Sequence, residues 1–184
     1  MKLIYFLLLL IVGLFLFSFT STFISFLAYY NLSSEKPVAT VIFHKIEDYK
    51  YKIDYSVGDG PFTENNDVFF NGDEWNIEAH VFKFKYYINA FFGISPKYDL
   101  ERLSSRFSDV KKAAATPPNI IDLSKKRAFL SKYFMGIYVY DTNYGSGTYA
   151  PMGDGAEYQI FISPTGLLIR PGNAVAQRLL EEWK

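Results

Sequence analysis

From Leu3 to Tyr30 the chain reads LIYFLLLLIVGLFLFSFTSTFISFLAYY, without a charged side chain. At ~1.5 Å rise per residue, a helix of that length exceeds the ~30 Å hydrocarbon core of a bilayer. The pattern then changes. Tyr49, Tyr51, Ile53, Tyr55 and Val57 alternate with Lys50, Lys52, Asp54 and Ser56, the period of two of a strand with one covered face. Trp75, Ile77, Ala79 and Val81 alternate with Asn76, Glu78 and His80 in the same way. The next apolar residues, Phe82, Phe84 and Tyr86, are separated by Lys83 and Lys85 and fall in the opposite phase. One residue of slip sends every side chain to the other face, so this strand is expected to bulge near Val81 and Phe82. The competing reading makes Phe82, Phe84 and Tyr86, with Lys83 and Lys85, an amphipathic edge that meets a ligand, lipid or partner. Trp75 belongs to the same candidate surface.

Further strands are expected at VATVIFHKI from Val38 and at DVFF, residues 67–70, with NGD, residues 71–73, as a hairpin turn. The stretch YDLERLSSRFSDVKK from Tyr98 is ambiguous. Leu100, Leu103, Phe107 and Val110 fit one face of a helix, whereas Leu103, Ser105 and Phe107 fit one face of a strand. Two prolines in AAATPPN interrupt the chain, NIIDL reads as a short strand, and Ser124 reads as the N-cap of a helix over KKRAFLSKYF. MGIYVYDTNYGSGTYAP, AEYQIFI and LLIRP, separated by the turns MGDG and SPTG, predict an antiparallel meander. Asn173 caps a closing helix with Val175, Leu179, Leu180 and Trp183 on one side. The fold class predicted is α+β: an anchor at 1–30, a linker at 31–37, and one mainly antiparallel β domain at 38–184 with two or three helices.

The alternative to a retained transmembrane helix is a cleaved signal peptide. The Ser/Thr-rich stretch after Phe17 lacks a small-x-small cleavage site, which favours retention. Lys2 precedes the span, while Glu35 and Lys36 after it cancel, so the positive-inside rule places the following domain outside the cytoplasm. This reading expects a single-pass protein of the inner membrane, with the bilayer as a partner through residues 3–30. Lys plus Arg equals Asp plus Glu at 19 each, so nothing favours nucleic acid as a partner. Cysteine is absent, which excludes disulfides, thiolate metal sites and a cysteine nucleophile.

Candidate chemistry is sparse. His44 and His80 both lie in strand-like segments, where a metal site would need carboxylates to complete its sphere, so core or edge histidines are expected. In DTNYGSG the twelfth position from Asp141 is Met152, where a calcium loop needs a bidentate Glu, so a bend or bulge is expected there instead. Arg102 and Arg106 would clamp an anion if their segment were helical, with surface pairing to acidic neighbours as the alternative. No phosphate cradle or common hydrolase signature occurs. An enzyme reading would rest on His80, Glu78 and Asp73 converging in a cleft. No catalytic residue, cofactor or metal is expected.

Three segments, FFNGDEWNIEAHVFKF, GISPKYDLERLSSRFSDV and YGSGTYAPMGDGAEYQIFISPTGLLIRP, are similar to a family of small bacterial membrane-anchored proteins of unknown function, often labelled multidrug transporter or cation/multidrug efflux pump. The resemblance covers roughly residues 65–172. It is most specific at Gly72-Asp73 with Trp75, at Leu103 to Phe107, and at Tyr144 to Gly147 with Gly166-Leu167-Leu168. The label implies efflux, but one span cannot build an alternating-access pathway, so the resemblance implies at most an accessory role in an efflux system. The leading expectation is a non-catalytic envelope domain that binds a membrane protein partner or an apolar ligand.

Overall fold

The computed structural model describes residues 2–84, 90, 97–124 and 140–183. Helix α1 (Lys2–Leu32) is long and apolar enough to cross a membrane, and its apolar side chains are exposed along its length. Strand β1 (Lys36–Glu47) follows after only three residues, so the expected linker at 31–37 shrinks to 33–35. Ser33 N–H and Oγ–H both donate to Tyr29 O, and Ser34 Oγ–H donates to Asn31 O, which prolongs the helical turn through the link.

The remaining elements are β2 (Lys50–Val57), β3 (Thr63–Asn71), β4 (Glu74–Phe84), β5 (Lys97–Arg106), α2 (Val110–Ala115), β6 (Ile120–Asp122), β7 (Tyr140–Pro151), β8 (Glu157–Ser163), β9 (Gly166–Pro171) and α3 (Ala174–Glu182). Two antiparallel sheets result: sheet A in the order β3-β2-β1-β8-β9, and sheet B in the order β6-β5-β4-β7. The α+β class stands, with one apolar N-terminal helix ahead of a mainly antiparallel domain.

The inner faces of the sheets share one core. Phe43 of β1 lies 5.5 Å from Trp75 of β4, and Trp75 lies 5.6 Å from Tyr158 of β8, ring centre to ring centre. All three side chains are fully buried, as are Ile53, Phe70, Ile77, Leu103 and Ile160. Each such side chain contributes about 1.5–3 kcal/mol by leaving water. The Tyr158 hydroxyl donates to Pro151 O at 2.7 Å, and burial pushes its pKa far above the usual tyrosine value. Trp75 is therefore part of the core and not of a binding surface, because the alternation it opens faces inward.

Asn71-Gly72-Asp73 is not a hairpin. It carries the chain from β3 in sheet A to β4 in sheet B. Gly72 N–H donates to Tyr49 O at 2.8 Å and Asp73 N–H to Arg106 O at 3.2 Å, so this corner is hydrogen-bonded to both sheets. A Cβ on Gly72 would sit 2.1 Å from Arg106 O, which is why the corner takes glycine.

The phase problem of β4 also resolves differently from expectation. Val81 and Phe82 are paired in continuous register with Tyr98 and Lys97 on one side and with Tyr144 and Asn143 on the other. The irregularities are in the neighbours. Glu101 is the extra residue of β5 opposite the Glu78–Ala79 step, and Asp141 is the extra residue of β7 opposite the Lys83–Phe84 step. The bulge at Glu101 lets Leu100 and Leu103, three residues apart, both point into the core. That is the spacing that read as helical.

The closing helix is as expected. Asn173 Oδ1 accepts from Ala176 N–H, and Val175, Leu179 and Leu180 pack on the core. Asp109, rather than a residue predicted as a cap, starts α2 by accepting from Lys111 N–H. The helix expected over KKRAFLSKYF falls at 125–134, outside the described residues.

Candidate functional site

Alternation along β4 puts Trp75, Ile77, Ala79 and Val81 inside and leaves Asn76, Glu78 and His80 on the outer face of sheet B. Antiparallel pairing sets Glu74 opposite Arg106, Asn76 opposite Ser104, and Glu78 opposite Arg102. The side chains use this register. Arg106 Nε lies 3.0 Å from Glu74 Oε2, Ser104 Oγ–H donates to Asn76 Oδ1, and Arg102 Nε donates to Glu78 Oε2 at 2.8 Å. Asn76 Nδ2 donates to Glu78 Oε1 at 2.9 Å, so both Glu78 oxygens are held. His80 Nε2 lies 2.7 Å from Glu101 Oε1, which the β5 bulge brings beside β4.

On the other flank of β4, Gly147 stands opposite Glu78 and Gly145 opposite His80. Neither contributes a side chain, and a trough of about 290 Å³, open to solvent, lies along β7. Its walls are Asn76, Glu78, Glu101 and Tyr149, and its floor includes the 145–148 segment. One end is built from rings. The Arg106 guanidinium stacks 4.8 Å over Tyr149, Trp183 meets Tyr149 edge-on at 5.2 Å, and Trp183 Nε1–H donates to Glu74 Oε1 at 2.9 Å. The trough thus offers anchored carboxylates, an amide, strand backbone and a half-exposed aromatic ring.

Of the residues of the enzyme reading, Glu78 and His80 share the outer face of β4, whereas Asp73 stands apart. Asp73 sits at the sheet-crossing corner, where its carboxylate accepts from Ser108 N–H at 2.7 Å and Ser108 Oγ–H at 2.6 Å. Glu78 is engaged by Arg102 and Asn76, and His80 by Glu101. Arg102 and Arg106 lie on a strand and each pairs with its own glutamate, so they form no anion clamp. His44 pairs with Asp54 at 2.9 Å on sheet A. Among the described residues no group of three or more His, Asp or Glu is placed to hold a metal ion.

Of the surface expected from sequence, Phe82 stands in register with Lys97 and Asn143, Lys83 with Thr142, and Phe84 with Tyr140. Lys85 and Tyr86 lie outside the described residues. The trough itself was not anticipated. Its signal in the sequence is the Gly-Ser-Gly of β7 beside a strand whose outward residues are Asn76, Glu78 and His80, and the pairing of β7 with β4 is needed to join them. No protein-family model, curated protein or solved structure matches this chain.

Proposed function

We propose that this is a single-span envelope protein of the inner membrane whose extracytoplasmic β domain docks a partner protein on the outer face of sheet B, without catalysis. The observation that carries the reading is the trough of about 290 Å³ over Gly145 and Gly147, walled by Glu78, Glu101 and Tyr149. Side chains fill the space between the sheets, with Phe43, Trp75 and Tyr158 fully buried, which favours a surface partner over an apolar ligand held inside. The length and uninterrupted apolar composition of α1 support the anchor, and the positive-inside rule supports the orientation.

The chain lacks cysteine, so introduced thiols are unique handles. Gly145→Cys and Tyr149→Cys, cross-linked in native membranes, are expected to yield one and the same discrete adduct, absent from Glu47→Cys on sheet A and lost when Glu78→Lys is added. No adduct from either trough position, or the same products from Glu47→Cys, would refute the proposal. Recovery of an efflux component in the adduct would assign the process.

A further inference from the structure

The joint between helix and domain carries more than a tether requires. Only Ser33, Ser34 and Glu35 separate α1 from β1. The end of the helix is fastened to the β4–β5 connection, where Asn31 Nδ2 donates to Ala90 O at 2.9 Å. The link itself is fastened to sheet A, where Arg170 of β9 donates through Nε and Nη2 to the two Glu35 oxygens at 2.7 and 2.6 Å. A two-pronged guanidinium–carboxylate pair fixes direction as well as distance. These two fastenings, to Ala90 and to Arg170 of β9, restrain the swing of the domain about the exit point.

Topology then determines which end of the domain faces lipid. Gly58 N–H donates to Val38 O, so the 58–62 loop lies at the start of β1, beside the helix exit. Phe62 in that loop is 49% exposed. Tyr98, at the start of β5, is 37% exposed and pairs with Val81 near the end of β4, from which the chain runs on to Ala90 at the helix exit. The opposite end holds Ile46, next to the β1–β2 turn, and Val110, which follows the end of β5. The 12 residues of β1 rise about 40 Å at ~3.3 Å each. The two ends are therefore well separated.

We propose that the domain is seated on the bilayer in one orientation, with Phe62 and Tyr98 in the lipid headgroup layer and with Ile46 and Val110 held away in water. Aromatic rings are favoured in that layer because it accommodates an apolar body together with a polar edge. The seat keeps the outer face of sheet B upright beside the membrane and so presents the trough sideways to a neighbour in the same bilayer. The inference rests on α1 being a retained anchor.

The test uses the full chain in phosphatidylcholine–phosphatidylglycerol liposomes. Phe62→Cys, Tyr98→Cys, Ile46→Cys and Val110→Cys are each labelled with a fluorophore, and the lipids carry a shallow nitroxide quencher. Loss of fluorescence is expected at 62 and 98 but not at 46 or 110. A Gly-Ser spacer inserted between Ser33 and Ser34 should reduce the loss at 62 and 98. Equal quenching at all four positions, or none at both 62 and 98, would overturn the seat. The anchor is read separately: a chain that alkaline carbonate strips from the liposomes refutes the anchor, and one that stays bound without quenching refutes only the seat.

Discussion

Replacing Gly72 by alanine tests the sheet-crossing corner directly. The added Cβ would lie 2.1 Å from Arg106 O, 2.9 Å from Arg106 C and 3.2 Å from Arg106 N. The obstacle is backbone and cannot rotate away, so the corner must move by about 1 Å, which overpacking data place at roughly 1–3 kcal/mol. The movement also strains the bonds from Gly72 N–H to Tyr49 O and from Asp73 N–H to Arg106 O, each contributing about 1 kcal/mol. The sum is about 3 kcal/mol, a large part of the 5–15 kcal/mol typical of a domain. Gly145→Ala is the matched control. Nothing lies within 4 Å of its would-be Cβ, and it sits within strand β7, where alanine is better than glycine by about 0.5–1 kcal/mol. Urea unfolding of the full chain in detergent micelles, followed by the fluorescence of the buried Trp75, reads both. With a slope of about 2 kcal/mol per molar urea, Gly72→Ala should lower the midpoint by about 1.5 M. Gly145→Ala should leave it unchanged or raise it. A Gly72→Ala midpoint equal to that of the unaltered chain, or equal loss in both variants, would refute the assignment of Gly72 as a forced close approach.

Asn173 both caps α3 and ties it to the β7–β8 turn, accepting from Ala176 N–H at 3.0 Å and donating to Gly155 O at 2.7 Å. Asn173→Ala should destabilise by about 1–2 kcal/mol, seen as a lower urea midpoint, with Trp183 fluorescence changing as its helix frays. The Glu35–Arg170 pair predicts a pH dependence of the joint. The hydrogen bonds from Arg170 hold the Glu35 carboxyl below its usual pKa. The ordering is therefore complete above the ordinary glutamate range and is lost as pH falls through the depressed value in the folded protein. A spin label at Ser34→Cys should be immobile at neutral pH and gain mobility in acid, and Arg170→Gln should make it mobile at both.

Local pattern carried much of the architecture. The charge-free run to Tyr30 can only be a helix or be unsatisfied in lipid, because backbone groups there have no water to bond, and α1 occupies that run. Asn173 with its apolar i, i+3, i+4 partners specified α3, since capping and amphipathicity act within a few residues. The Gly/Pro-punctuated segments after Tyr140 likewise became β7, β8 and β9, but only β8 and β9 pair as the expected meander, because β7 joins β4 in sheet B. The stretch at 98–110, whose pattern fits helix and strand alike, shows where locality ends. Leu100 and Leu103 are both inward only because Glu101 bulges against β4, a residue pairing that no window of sequence contains.

The same limit applies to the site and to the corner at Gly72. An Asn-Gly-Asp run is compatible with a hairpin, but β3 found its partner in β2 and β4 found its partners in β5 and β7, so the turn became a crossing between sheets. Trp75 was legible as the start of an alternating strand, but which face would be inner depended on Phe43 and Tyr158 arriving from the other sheet. Glu78, Glu101 and Gly147 come from three strands, and only their hydrogen-bonded register sets them side by side. The sequence by itself determined the membrane-length helix, the strand-rich composition of the body and its closing cap, because these follow from interactions within one segment. Tertiary structure decided the pairing, the bulges and the trough, because those energies exist only between segments distant along the chain.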